Sequence, residues 1–142
     1  MKKFPPLEKV YEAWTAIADG RIAMHPDHAE VSSSDGEKQY IVRFDGNKYS
    51  SDDNATYWQG YPGYPVIAVM MLQGKLPLDM TEAEKWKNIN WTVLNKKFKN
   101  NYQAAVAEIE KERGIDPETA DNAARKVMEA LMELPIEIKR KI

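Results

Sequence analysis

The chain contains two histidines, and they fall three residues apart in His25-Pro26-Asp27-His28, with Glu30 two positions on. Imidazole and carboxylate together suit zinc or nickel, so a sharp turn here would bring both imidazoles to one ion. The same groups, with carboxylates such as Asp27 or Asp52, are the acid, base or metal ligands available to an enzyme with a dispersed site. Pro26-Asp27 is equally an ordinary chain reversal. Two imidazoles without an obvious third ligand favour the reversal, so the expectation is a surface turn with no metal and no cofactor.

Other constellations are weighed in the same way. Lys85 to Tyr102 holds five lysines (Lys85, Lys87, Lys96, Lys97 and Lys99), four aromatics and no acid. Lysines for phosphates and aromatics for base stacking make a single-strand nucleic-acid surface. On a helical wheel, however, Trp91, Leu94, Phe98, Tyr102, Ala105 and Ile109 form one apolar stripe, and a core-facing stripe with a solvated lysine face explains the composition without a ligand. Tyr57-Trp58-Gln59-Gly60-Tyr61-Pro62-Gly63-Tyr64 is the most unusual composition present. Exposed aromatics with polar surroundings mark partner sites, which makes Tyr57, Trp58, Tyr61 and Tyr64 the candidate partner-binding residues. The competing reading has them sealing the core.

Asp52-Asp53-Asn54 lacks the later ligands and glycine of an EF-hand and reads as an Asx-rich turn. Ser32-Ser33-Ser34 has no histidine or lysine at a spacing that would activate a nucleophile. Gly60, Gly63 and Gly74 lack the context of a phosphate loop.

These groups belong to a chain of 142 residues, 43% hydrophobic and 30% charged, a composition that excludes disorder over most of its length. A single domain with its own core is expected. Twenty basic and 22 acidic residues leave a net charge of −2, so nucleic acid or anionic membrane would have to be met by a local patch. The absence of cysteine removes disulfides, thiolate catalysis and thiolate zinc sites. The N-terminus has no continuous apolar segment of signal-peptide type, and Val66–Leu72 is far shorter than the ~20 residues that span a bilayer. A cytoplasmic protein with no membrane partner is the expectation.

The elements that must position the candidate residues can be read from periodicity. Pro5-Pro6 opens a helix in which Leu7, Val10, Tyr11, Trp14, Ile17 and Ala18 share a face; Glu8, Glu12 and Asp19 lie opposite, and Gly20 ends it. Asp35-Gly36 and Asp45-Gly46 are two-residue hairpin signals. They predict a meander with Ala29 and Val31 across from Val42 and Tyr40, and with Val42 across from Tyr49. Arg21–Met24 adds a fourth strand. Pro65–Gln73 is apolar on nearly every side, so a buried helix is expected there. Thr81 with Glu84 makes a capping box for a helix that runs to about Arg113 with an interruption near Asn88-Ile89-Asn90. Asp116 and Pro117 start a last helix with Ala120, Ala123, Ala124, Val127, Leu131 and Leu134 on its apolar stripe. A short turn at Gly114-Ile115 makes the last two helices a hairpin, and Ile136–Ile142 is expected to fray as a basic tail. The fold class is α+β: an N-terminal helix, a three- to four-stranded antiparallel meander, a buried apolar helix and a C-terminal helical hairpin.

The order of helix, Gly-Arg-Ile, short strands and apolar helix resembles the SWIM-type zinc finger from about residue 7 to 76. ADGRI (Ala18–Ile22) looks like its helix end and first strand, AEVSSSDGEKQYIV (Ala29–Val42) like its strand pair, and GYPVIAVMML (Gly63–Leu72) like the helix that begins with its second ligand pair. The family's four zinc ligands would fall on Asp52, Asn54, Tyr64 and Val66, none of which is a thiolate or an imidazole. The resemblance therefore implies a scaffold without its metal, with roles in binding nucleic acid or protein. Together these readings give a non-enzymatic, metal-free binding module. Its partner is a protein, a second copy of the chain or, by way of Lys85, Lys87, Lys96, Lys97 and Lys99, a nucleic acid. An enzyme centred on His25 and His28 is the alternative.

Overall fold

In the computed structural model, which describes residues 3–142, the chain opens with α1 (Glu8–Ala18). Strands β1 (Ile22–Met24), β2 (His28–Ser32), β3 (Gln39–Asp45) and β4 (Lys48–Ser51) follow, then a short π-helix (Ala55–Gln59) and α2 (Tyr64–Leu72). The remainder is α3 (Met80–Glu84), α4 (Trp91–Lys97), α5 (Tyr102–Arg113), α6 (Pro117–Glu133) and a two-residue strand β5 (Glu137–Ile138). This is the α+β class expected.

Every residue from Pro65 to Met71 is buried, because α2 packs against α1 as well as against β3 and β4. A helix covered on several sides has no use for a polar face. A cluster of aromatic rings ties α1 to the α3–α4 region. Trp86 lies 4.5 Å from Tyr11 and 6.4 Å from Trp91, and Trp14 meets Tyr11 edge-on at 5.3 Å. Thr15, wholly buried, joins that cluster by polar contacts: its hydroxyl donates to the Trp86 carbonyl at 2.6 Å and accepts from Trp91 Nε1 at 2.9 Å. The last helix is capped as expected, with the Asp116 carboxylate accepting from the Glu118 N–H at 3.3 Å and the Thr119 hydroxyl at 2.7 Å. It buries Ala120, Ala124, Val127 and Leu131.

The sheet order is β1-β2-β3-β4-β5, the first four strands antiparallel and β5 parallel to β4. Ala29 pairs with Val42 and Val31 with Tyr40, as the Asp35-Gly36 turn requires. The second hairpin corrects the expected register. Asp45 pairs with Lys48, so Gly46-Asn47 is the loop, Phe44 faces Tyr49, and Val42 faces Ser51. Gly46 takes φ +61, the conformation a tight hairpin needs at its first loop position. The slip is two residues along the ladder, so Val42 and Tyr49 keep the same buried face.

Four other expectations are corrected. Asp79, not Thr81, caps α3, accepting from the Glu82 N–H at 3.1 Å. The interruption expected near Asn88 is present, but the helix expected to run on from there to Arg113 is broken again at Lys99-Asn100; Asn88, Lys99 and Asn100 all take positive φ. Glu12 is buried rather than solvated, because Lys9 lies 3.3 Å away and the Asn95 amide donates to it at 3.2 Å. Burial works against the Lys9 ammonium, but the Glu12 carboxylate together with Tyr102 and Tyr61 outweighs it, and Lys9 titrates above the ordinary lysine value. Finally, the expected frayed tail is partly ordered. The Glu137 N–H donates to Asn47 O at 2.9 Å and the Lys139 N–H to Tyr49 O at 2.7 Å, which adds β5 to the sheet.

Candidate functional sites

The β1–β2 connection brings the two histidines together. The His25 N–H donates to the His28 carbonyl at 2.8 Å, closing a four-residue turn around Pro26-Asp27, and the two imidazoles stack with centroids 4.5 Å apart. His28 and Glu30 are two apart on β2 and therefore share a face. His25 Nε2 lies 3.5 Å from Glu30 Oε2, and one donor atom from each of His25, His28 and Glu30 lies within 4.8 Å of the others. The His28 Nδ1 sits 2.6 Å from Asp27 Oδ1. That hydrogen bond, with the charge of the His28 ring, holds the Asp27 carboxyl below its ordinary 3.8. The third donor absent from the two-imidazole reading is Glu30, and strand alternation is the signal that finds it.

A second polar cluster gave no sign in the sequence. Glu12, Arg21, Ser33, Tyr40, Tyr64, Trp91 and Asn95 are among the residues lining a cavity of ≈ 70 Å³ between α1, the strands and α4. Arg21 donates to the Ser32 carbonyl and pairs with Asp19 at 3.3 Å. Its Nη2 and Asn95 Oδ1 are buried without a protein hydrogen-bond partner. Burial drives the Tyr64 hydroxyl well above the usual tyrosine range, with Arg21 pulling the other way. The volume is far below the ~300 Å³ at which ligand pockets begin, so the cluster is a polar joint rather than a substrate site.

The aromatic loop divides between the two readings offered for it. Tyr57 and Tyr61 are half-buried; Tyr64 is half-buried too, its ring meeting Tyr40 edge-on at 6.4 Å. Trp58 is 64% exposed. Its ring meets Tyr57 edge-on at 4.8 Å, and the Arg140 guanidinium lies 5.1 Å from the Tyr57 centroid and 5.5 Å from that of Trp58. An open cleft of ≈ 520 Å³ adjoins this group, lined by Lys3, Phe4, Gln59, Gly60, Pro62, Leu131, Ile136, Glu137, Ile138 and Lys139. A second cleft of ≈ 310 Å³ has Tyr57, Arg140 and Lys141 on its wall. The loop is held from below by Asp53, a buried Asx-turn residue that accepts from the Ser51 hydroxyl and the Thr56 N–H. The Thr56 hydroxyl in turn accepts from the Gly63 N–H at 2.9 Å.

The five lysines and their aromatics come together only in part: Lys97 Nζ lies 5.4 Å from the centroid of half-buried Phe98. Trp86 and Trp91 are buried, whereas Lys87, Lys96 and Lys99 are exposed. Lys85 pairs with buried Glu82 at 2.9 Å and Lys97 with Glu108 at 3.3 Å. Of the serines, Ser34 accepts from the Trp91 N–H at 2.9 Å and Ser33 donates to Asp35 at 2.6 Å, so both do turn and cap work. No helix among the described residues is long and apolar enough to cross a membrane.

One family model matches residues 2–137 and is described as uncharacterised conserved protein UCP014422. No curated protein and no solved structure matches the chain. The match overturns the SWIM resemblance, since residues 7–76 lie wholly inside this different family. The likeness rested on a helix end, Asp-Gly turns and an apolar helix, which recur wherever a small sheet packs on helices. The four ligand positions carry structural residues instead: Asp52 accepts from the Ile41 N–H at 2.9 Å, Val66 is wholly buried, Tyr64 packs on Tyr40, and Asn54 precedes the π-helix.

Proposed function

We propose, from the premise that the chain belongs to the uncharacterised conserved protein UCP014422 family, that it is a non-enzymatic interaction module that binds a protein segment at the Trp58 face. The observation that carries this reading is Trp58 itself, 64% exposed on a loop otherwise fastened to the core. Tryptophan, tyrosine and arginine are the side chains that dominate binding energy at protein interfaces, and here Trp58 and Tyr57 already meet edge-on with the Arg140 guanidinium against both rings. A pre-arranged aromatic group loses little conformational freedom on binding.

The adjoining cleft supports the same partner chemistry. Phe4, Pro62, Leu131, Ile136 and Ile138 give it an apolar lining, and Lys3, Lys139 and Glu137 stand on its wall, Lys139 paired with Glu137 at 3.5 Å. Ile138 lies on β5 between two residues whose N–H groups bond to β4, so its own backbone groups point to the open edge of the sheet. An extended segment with apolar and acidic side chains suits such an edge.

Selection from a displayed library of random peptides tests the reading. Recovered sequences should combine apolar or aromatic residues with Asp or Glu, and titration calorimetry with a recovered peptide should show affinity falling at least tenfold in Trp58→Ala. That variant should stay within ~0.5 kcal/mol of the parent in stability, as surface substitutions do. Peptides that bind Trp58→Ala unchanged, or a library that yields no binder, would overturn the proposal.

A further inference from the structure

The hairpin at the other edge of the sheet carries a separate chemistry. We infer that His25, His28 and Glu30 form a site for one borderline divalent cation of the zinc or nickel class, with Asp27 as a positioning residue. His25 would coordinate through Nε2, which already lies 3.5 Å from Glu30 Oε2. Two N/O ligands ~2.0–2.1 Å from a tetrahedral zinc ion are ~3.4 Å apart, so this pair stands at ligand spacing before any ion arrives. His28 would use Nε2, because its Nδ1 is engaged by Asp27 at 2.6 Å. A carboxylate on the far ring nitrogen fixes the tautomer and raises ligand basicity in established metal sites.

The backbone prepares the arrangement. The His25 N–H to His28 O bond closes the turn, Pro26 restricts its torsion, and pairing of Met24 with Ala29 fixes the strands that flank it. One donor atom from each residue lies within 4.8 Å of the others, and the three side chains, 28–42% exposed, have room to rotate inward. Three protein ligands leave a fourth position for water, and the partial exposure leaves a path for the ion. The surrounding charge is mixed. Asp27 and Glu30 favour a cation, while Arg43, directly across from His28 on β3, opposes one; Asp45 lies further along β3. Imidazole nitrogen in the donor set selects zinc, nickel or copper over calcium and magnesium.

The experiment uses the tag-free full chain, stripped with chelator and titrated with zinc chloride by calorimetry at neutral pH. One equivalent should bind, calcium in tenfold excess should not compete, and nitrogen-detected NMR should show the His25 and His28 ring signals moving together. The His25→Ala, His28→Ala double variant should lose the binding while keeping its circular dichroism spectrum. Asp27→Asn should weaken affinity 10–100-fold, the range for lost outer-sphere partners, and Asp27→Glu should restore part of it. Absence of binding at millimolar zinc, or binding of equal strength in the double variant, would overturn the inference.

Discussion

At the β1–β2 end of the sheet, two imidazoles and two carboxylates stand within a six-residue stretch of chain. At the β4–β5 end, Tyr57 and Trp58 meet Arg140, more than eighty residues away in sequence, beside a cleft with an apolar lining. The first end is local, polar and suited to an ion. The second is assembled from distant segments and suited to a macromolecular surface. Both depend on the same sheet and the same buried helix α2, which suggests one stable centre holding two edges that can be altered independently.

The sharpest way to break that picture is to damage the centre. Trp86 is wholly buried, contacts Tyr11, Trp14 and Trp91, and offers its carbonyl to Thr15. Trp86→Ala should lower stability by ~3–5 kcal/mol, the range for deleting a large aromatic from a core. Urea unfolding followed by circular dichroism gives the size of the loss, and NMR should show shifts at both His28 and Trp58. A change confined to one edge would mean that the two do not share this core.

Gly63→Ala comes next and should act unequally. A methyl group at this position would come within 2.2 Å of Asp53 Oδ2 and 3.1 Å of Thr56 Oγ1, the two groups that fasten the aromatic loop. Forced overpacking of this kind costs ~1–3 kcal/mol. The Trp58 indole signal should move while the His25 and His28 ring signals stay in place. Equal disturbance at both ends would contradict their independence.

The same contrast explains what could be read from the sequence. Features set by neighbours along the chain were visible: the first helix, the Asp35-Gly36 hairpin, the apolar α2 and the Asp116 cap each follow from a few adjacent residues. The Gly46-Asn47 loop was misplaced by one position because Asp-Gly and Gly-Asn are both good hairpin signals, and only the ladder decides between them. Glu12 was placed in solvent because its burial depends on Asn95, 83 positions later. The fifth strand and the Arg140 contact were invisible for the same reason. At the histidine hairpin the residues were legible, but convergence of Glu30 on the imidazoles depended on a strand that composition alone does not fix.

The smallest expected effect separates the two edges by pH. Asp27 is fully exposed and its carboxyl lies below its ordinary 3.8 because of the bond to His28. A carboxylate depressed in the folded state stabilises the fold above its unfolded value, and that contribution disappears as pH falls through the folded value. Wild type should therefore lose its advantage over Asp27→Asn as pH falls below 3.8. Arg140 offers the contrast, since a guanidinium keeps its charge throughout this range and its contact with Tyr57 and Trp58 is with neutral rings. Arg140→Ala should thus differ from wild type by an amount that does not vary from pH 7 to pH 3. Urea midpoints for the three proteins across that range measure both slopes. If the Arg140 difference also changed with pH, the aromatic edge would be coupled to a titrating group, and the division into one ionic and one apolar edge would have to be abandoned.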